Sequence, residues 1–341
     1  MRKVNEENER IKRKYFQYRK TAQRKDEATI DKDAEAILHF EASTNYAPFK
    51  KFRIEQAIRY RDKLDIEKNK KTGKPLAKAT IAKRLASIKA FIFWLADQQG
   101  YKSRIRYSDA DYFNMDAKGQ RVANAVRERP HPSLEMVRHA FNQMPANTEL
   151  ERRNAAVIAF FMISGARDGA AASLRLKHIN LVDGYVFQDA REVKTKNSKT
   201  FTTYFMPVDP IYMECFCTWV QYLQSELLFG PDDPLFPPPE MGLKDGQFTV
   251  VGLKRETYQN ANALRTVVKQ AFENAGLPIF APHSLRKTLT KWATVQYPTH
   301  EAFKAFSQNI GHSNVATTLS AYCPVSTERQ GELIKAPKIP A

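Results

Sequence analysis

An apolar run in the second half of the chain restricts the fold more than any other sequence feature. Residues 155–163 read AAVIAFFMI without a polar side chain, and Ser164, Gly165 and Arg167 follow close behind. A surface helix keeps one polar face, whereas a helix that is apolar on every side is buried. The run therefore predicts a buried helix inside the core of a domain.

The length and composition indicate a globular protein with two domains. The chain has 341 residues, of which 43% are hydrophobic and 27% charged, a balance that argues against wholesale disorder. We find no apolar run of the ~18–20 residues that a membrane span needs and no signal-peptide core. Three clustered cysteines predict no disulfide framework, and no Cys/His spacing predicts a metal site. We therefore expect a reduced cytoplasmic protein without metal, cofactor or membrane association.

The charge distribution points to a polyanionic partner. The net charge is +17, and residues 1–130 carry 32 Lys and Arg against 18 Asp and Glu, which is +14. The remaining residues carry 22 against 19, which is only +3. A basic protein of this kind is typical of nucleic-acid binding, although a basic surface that serves solubility is the alternative.

The best helix of the basic part is predicted over residues 77–99. Apolar residues recur at intervals of four, three, four and three from Ile81 to Leu95, and Gly100 is a natural C-cap. A basic loop, residues 68–75, precedes it. Basic residues of this loop and this helix are predicted DNA contacts, with a merely solvated surface as the alternative: Lys71, Lys74, Lys78, Lys83, Arg84 and Lys89.

Breaks in the pattern set the expected domain boundaries. Residues 1–27 are predicted to be a charged arm, residues 28–105 a helical domain, residues 106–131 a linker and residues 132–341 a second domain with a tail from 323. Ser133 is placed to cap the first helix of the second domain. Residues 185–187 and 201–206 are β-rich and flank a basic turn. The expected fold is mainly α with a small antiparallel β-sheet.

The second domain also contains an ordered series of reactive side chains. Arg167 follows the buried helix, and a basic β-turn supplies a lysine. After these come a His283-x-x-Arg286 motif, a Gly-His pair ending at His312 and a tyrosine, Tyr322. These segments read SGARDGAAASLRLKHI, VKTKNSKTFTTYFMP, PHSLRK and IGHSNVATTLSAY. Together they resemble the tyrosine recombinase (phage integrase) family. TIAKRLASIKAFIFWLADQQG is similar to the last helix of its DNA-clamping domain, so the resemblance covers roughly residues 28–330.

The resemblance implies a role for each of these residues. Tyr322 is the nucleophile, and because a phenol has a pKa of ~10 it needs help at neutral pH. Arg167 and Arg286 stay charged and hold the phosphate oxygens in the transition state. Lys194, with Lys196 as the alternative, protonates the leaving 5′-oxygen. His283 serves as acid or base, and His312 donates a hydrogen bond to the scissile phosphate.

The resemblance also implies an architecture and a reaction. The fold is that of a two-domain, C-shaped DNA clamp with a SAM-like core-binding domain. The reaction is site-specific recombination of duplex DNA through a 3′-phosphotyrosine intermediate, for a phage or another mobile element, without metal or ATP. The expected assembly is a tetramer on paired sites and a monomer or dimer when free, located at the nucleoid, with possible accessory DNA-bending proteins.

Two other functions stay open at this point. A type IB topoisomerase relaxes DNA with similar groups, and a DNA-binding protein with a decayed site is the second alternative. The second is motivated by Ala170, because the family usually has Glu or Asp at this place. Asp168 is nearby, and the complete series of Arg, Lys, His, Arg, His and Tyr favours the active recombinase.

Overall fold

The computed structural model describes residues 4–70, 72–125, 130–244, 246–312, 314–316 and 318. The chain divides into two compact units, Met1–Val126 and Arg127–Ala341, called unit 1 and unit 2 below. Both are mostly helical, and unit 2 adds two small antiparallel sheets. The predicted fold class is thus confirmed. Within the described residues, every helix is too short or too polar to cross a membrane.

Unit 1 is built around the helix that the apolar periodicity predicted. This helix, α4, spans Lys78–Leu95, and its stripe from Ile81 to Leu95 is fully buried. Residues Phe40, Phe52 and Phe113 form a cluster of rings in the same core. The remaining α-helices in the described part of unit 1 are α1 (Glu6–Thr21), α2 (Glu27–Ser43), α3 (Ile54–Ile66) and α5 (Ala117–Asn124), with short 3₁₀ helices at Phe49–Lys51 and Tyr107–Phe113.

The predicted N-terminal arm, residues 1–27, is largely a packed helix. Asn5 caps α1, and Ile11 and Tyr15, one turn apart, are buried in the core of unit 1. Lys12 is also buried, and its amino group lies 2.7 Å from a carboxylate oxygen of buried Glu41. The helix of this segment therefore packs as part of unit 1, because a narrow apolar stripe within the highly charged sequence is sufficient for packing.

The predicted linker, residues 106–131, is also shorter than expected. Ala110 and Phe113 are buried in the core of unit 1, and α5 packs against α4. Asp116 caps α5 by accepting a hydrogen bond of 2.8 Å from the Gly119 amide. Residues 107–124 therefore belong to unit 1, because two buried side chains without helical periodicity still anchor a segment.

Unit 2 surrounds the buried helix that the apolar run predicted. This helix, α7, spans Glu149–Ser164, and all residues from Ala155 to Ser164 are buried. Ser133 caps α6 as predicted, by accepting a hydrogen bond from the Met136 amide. The α-helices of the described part of unit 2 are α6 (Leu134–Asn142), α7, α8 (Asp168–Ala171), α9 (Pro210–Ser225), α10 (Asn262–Asn274), α11 (Pro282–Gln296) and α12 (His300–Asn309), with short 3₁₀ helices at Leu176–His178 and Lys196–Ser198.

The first sheet of unit 2 contains the predicted pair of strands. Strands β1 (Ile179–Asn180), β2 (Tyr185–Gln188) and β3 (Phe201–Tyr204) lie in the order β1-β2-β3. Tyr185 pairs with Tyr204 and Gln188 with Phe201. The basic segment between these strands therefore connects neighbouring antiparallel strands, as expected.

A second sheet, not predicted from the sequence, is a two-stranded hairpin. Strand β4 (Pro239–Lys244) pairs with β5 (Gln247–Leu253), with an irregular register at Glu240 and Met241. Leu243 and Phe248 face each other in this pairing and are exposed. The pattern was missed because the hairpin does not alternate between buried and exposed residues, which is the usual signal of a strand.

Candidate active site

The turn after α7 lies against the end of α12 and leads into Arg167. Gly165 has φ +57°, and a Cβ atom at this position would lie 3.1 Å from Cγ2 of Ile310. Glycine meets both requirements, since it tolerates the left-handed conformation and a close neighbour. Arg167 is the half-buried N-cap residue of α8, two residues later.

The first turn of α11 carries the predicted His283 and Arg286. Pro282 starts this helix, His283 is exposed and Arg286 is 3% exposed. The Arg286 guanidinium donates through Nη1 to the carbonyl of Gly165 and through Nη2 to the carbonyl of Ile310. Nη2 also lies 3.1 Å from Nε2 of His312. One side chain therefore joins the end of α7 to the Gly-His turn after α12.

The Gly-His turn is held against strand β3 by backbone and side-chain contacts. Gly311 has φ +75°, and a Cβ atom there would lie 2.5 Å from the Phe201 ring. Asn309 accepts a hydrogen bond of 2.7 Å from the Tyr204 amide and donates one of 2.9 Å to the Tyr204 carbonyl. The Thr203 hydroxyl donates to the Asn309 carbonyl at 2.8 Å. These contacts fix His312 relative to the hairpin that carries the basic turn.

His312 lies in a buried polar environment. It is 5% exposed, and its Nδ1 lies 2.7 Å from Oγ1 of Thr318, which in turn lies 2.6 Å from Oγ of Ser307. Burial lowers the pKa of the His312 imidazole to about 3, with further lowering by the nearby cations Arg286, Arg167, Lys196 and Lys199. The ring is therefore neutral at neutral pH.

The two candidate lysines lie in different surroundings. The Lys194 amide donates to Oγ of Ser173, and its amino group donates to the carbonyl of Gln259, both at 2.8 Å. Lys196 is exposed in the turn between β2 and β3, and its charge acts on His312. Lys199, which the sequence did not single out, acts on His312 in the same way.

Three of the predicted residues thus act on the imidazole of a fourth, His312: Arg167, Lys196 and Arg286. His283 is three residues from Arg286 on α11, and Lys194 contacts Gln259 instead. Tyr322 lies outside the described residues. Thr318 and Ser307 were missed because no motif distinguishes a hydroxyl that touches histidine from other hydroxyls.

Ala170 stands at the position where the family resembled by this sequence usually has Glu or Asp. Ala170 is buried. The carboxylate of Asp168, the nearest acidic residue in the sequence, accepts a hydrogen bond from the Arg265 side chain on α10. The Asp168 carboxylate thus forms an ion pair with α10.

Half of the predicted DNA contacts in unit 1 are engaged in ion pairs. The amino group of Lys78 lies 2.5 Å from Asp65, and that of Lys89 lies 2.8 Å from Asp111. Arg84 lies between Glu67 and Glu35, at 3.5 and 3.7 Å. Lys74 and Lys83 are exposed, and Lys71 lies outside the described residues. Surface pairs of this kind contribute little stability, so a phosphate can compete for these cations.

The sequence model of the phage integrase family matches residues 134–329, which is more than half of the chain. This chain belongs to the phage integrase family. The match contains all six residues of the predicted series from Arg167 to Tyr322. The predicted resemblance is therefore confirmed, and this phage integrase family member is a site-specific recombinase that acts on DNA.

Known proteins similar to this recombinase agree with the assignment. Tyrosine recombinase XerC of Lactobacillus delbrueckii subsp. bulgaricus is 23% identical over 257 residues, covering 72% of each chain. XerC of Lactobacillus leichmannii is 22% identical over 258 residues, with the same coverage.

Solved structures show that the fold is shared. A lambda integrase dimer bound to a COC′ core site has a TM-score of 0.61 at 11% identity, covering 92% of this chain and 94% of that one. The Tn1549 transposon integrase in complex with transposon right end DNA has a TM-score of 0.60 at 14% identity, covering 96% and 99%.

Proposed function

We propose that this recombinase cleaves and rejoins duplex DNA through a 3′-phosphotyrosine intermediate formed by Tyr322. The gathering of Arg167, Arg286 and Lys196 around His312 is the observation that carries the proposal. Cations and hydrogen-bond donors around one point are what a phosphodiester needs as negative charge develops during substitution. Tyr322 follows His312 by ten residues, in the order of the family's motifs.

The two arginines bind the scissile phosphate. The Arg286 guanidinium is already held in one orientation by the carbonyls of Gly165 and Ile310. A preorganised donor does not have to reorient when charge develops, which is why such groups lower the barrier. Arg167, at the N-cap of α8, supplies the second fork of donors.

Proton transfers accompany the substitution at phosphorus. The Tyr322 oxygen attacks, the bond from phosphorus to the 5′-oxygen breaks, and His283 accepts the phenol proton. A lysine returns a proton to the 5′-oxygen. The sequence favoured Lys194 for this step, but the position of Lys196 near His312 supports Lys196, while the Lys194 amino group is hydrogen-bonded to Gln259.

The proposal also covers the assembly and the setting of the recombinase. We propose a tetramer on two paired sites, with a monomer or dimer when free, in the service of a phage or another mobile element. The lambda and Tn1549 integrases, whose folds this chain shares, support a mobile element. A cytoplasmic location at the nucleoid and possible help from DNA-bending proteins belong to the same proposal.

The test is covalent capture on DNA. The full chain is incubated with nicked duplexes made from the sequences that flank its gene, so that the short strand beyond the nick diffuses away after cleavage. We expect a DNA adduct with the wild type and with the control Tyr297→Phe, and none with Tyr322→Phe. Equal adduct with Tyr322→Phe would show that another residue is the nucleophile.

A further inference from the structure

A row of three buried side chains begins at the imidazole of the site and ends on α12. His312, Thr318 and Ser307 are at most 5% exposed, and each hydroxyl lies within 2.7 Å of its neighbour in the row. Thr318 precedes Tyr322 by four residues. The row thus connects the imidazole of the site to the stretch of chain that ends in the proposed nucleophile.

The partners of His312 determine which ring nitrogen carries the proton. An arginine guanidinium has donors and no acceptor. Because Nη2 of Arg286 lies 3.1 Å from Nε2 of His312, Nε2 must accept and cannot carry a proton in this arrangement. A neutral imidazole then has its single N–H at Nδ1, which donates to Oγ1 of Thr318 at 2.7 Å.

We propose that Thr318 is a positioning residue for DNA cleavage that acts through His312. Its hydroxyl oxygen accepts a hydrogen bond from the Nδ1–H group, keeps the ring in one orientation and leaves Nε2 as the nitrogen that faces Arg286 and an incoming phosphate. The inference rests on the proposed function, because it assigns His312 to the phosphate site.

Ser307 strengthens this role of Thr318. The hydrogen of a threonine hydroxyl rotates to suit its partners, so a second contact determines where it points. The 2.6 Å contact between Oγ of Ser307 and Oγ1 of Thr318 supplies that contact. Ser307 lies on α12, and its carbonyl also accepts a hydrogen bond of 3.0 Å from the His312 amide. The backbone and the ring of His312 are therefore both fixed from the same residue.

The experiment uses Thr318→Val and Thr318→Ser in the full-length protein. Valine keeps the shape and loses the acceptor, whereas serine keeps the acceptor. The matched control is Thr288→Val, because Thr288 is also a buried threonine of unit 2 and its hydroxyl donates to the Pro132 carbonyl at 2.5 Å. The readouts are the ¹⁵N spectrum of the His312 ring without DNA, the rate of adduct formation on nicked duplex and the melting temperature.

We expect the wild type, Thr318→Ser and Thr288→Val to show His312 protonated at Nδ1 and to form adduct at similar rates. Thr318→Val should show a mixture of tautomers and a rate about 10- to 100-fold lower, the usual cost of a misplaced reacting group. Wild-type speed in Thr318→Val would overturn the proposal. A slower Thr318→Val with a wild-type ring spectrum would also overturn it, because the effect would then not pass through His312.

The failure of the proposed function would look different. In one outcome, the wild type and all variants form no adduct while the position of the ring proton still changes in Thr318→Val. The hydrogen bond between His312 and Thr318 is then correct, and the proposed DNA cleavage is wrong. If the wild-type ring carries its proton at Nε2, the proposed hydrogen bond from Nδ1 of His312 to Thr318 is refuted, whatever the adduct assay gives.

Discussion

Acid should destabilise unit 2 through His312, and the effect has a definite sign. The folded state lowers the pKa of this imidazole from 6.5 to about 3, because the ring is buried beside cations. Between these two values the unfolded chain binds a proton that the folded protein does not. Stability from this group is therefore fully present above pH 6.5 and is lost progressively as the pH falls toward 3.

The size of the effect follows from linkage. Each pH unit below the unfolded pKa of 6.5 costs about 1.36 kcal/mol while the folded ring stays neutral. At pH 5 the cost is thus about 2 kcal/mol, a large part of the 5–15 kcal/mol that typically stabilises a domain. His178 of unit 2 also has its pKa lowered by burial, so it adds a pH dependence of the same sign.

The assay compares the wild type with His312→Asn in urea at pH 7 and pH 5. Both proteins carry Trp94→Phe, so that fluorescence reports on Trp219 and Trp292 of unit 2. Because His178 and the other titrating groups are common to both proteins, their contributions cancel in the difference. The wild type should lose about 2 kcal/mol more than His312→Asn over this interval. Equal losses in the two proteins would refute a neutral, buried His312.

Three further predictions concern the site and the DNA. Lys196→Ala should slow cleavage about 100-fold, and Lys194→Ala should slow it much less. A substrate with a sulfur leaving group, which needs no proton, should restore the cleavage rate of Lys196→Ala. A larger loss of rate in Lys194→Ala than in Lys196→Ala would return the role of proton donor to Lys194. Gly311→Ala should form adduct at least about tenfold more slowly than the wild type, because the new Cβ would meet the Phe201 ring. The control Gly276→Ala should form adduct at the wild-type rate, because Gly276 has a similar φ of +68° but lies in open space. DNA affinity should fall about 10³-fold or more between 50 and 200 mM salt, as for proteins with six or more phosphate contacts; a flat response in a binding titration would contradict the electrostatic interpretation.

Sequence patterns predicted the elements whose signal is local. The stripe from Ile81 to Leu95 and the apolar run from Ala155 to Ile163 each define a helix and its buried face without reference to the rest of the chain. The pairing of β2 with β3 was predictable for the same reason, because a short basic turn joins two β-rich segments. In such cases periodicity alone determines which face is buried.

Sequence patterns failed where tertiary contacts decide. Tyr15 and Phe113 lie in segments without strong periodicity, yet each is buried by partners far away in the sequence. The ion pair between Lys89 and Asp111 is of the same kind, since 22 residues separate its partners. The choice between Lys194 and Lys196 also depends on where a turn folds, and the spacing of two lysines only two positions apart does not reveal that.

The lowered pKa of His312 also predicts how the ring responds to DNA. Arg286, Arg167, Lys196 and Lys199 make the potential at the imidazole positive, and the same potential attracts a phosphate. A bound phosphate offsets these cations, which raises the pKa. Further burial by DNA would lower it, but the ring is only 5% exposed already, so little desolvation remains.

The effect of the phosphate charge on the His312 pKa should therefore exceed the effect of further burial, and the pKa should rise when DNA binds. The new proton goes to Nε2, because Nδ1 already donates to Thr318. Titration of the ring by NMR in Tyr322→Phe, with and without duplex, measures this change. An unchanged or lower pKa in the complex would mean that the phosphate does not approach His312, and would exclude it as a donor to the scissile group.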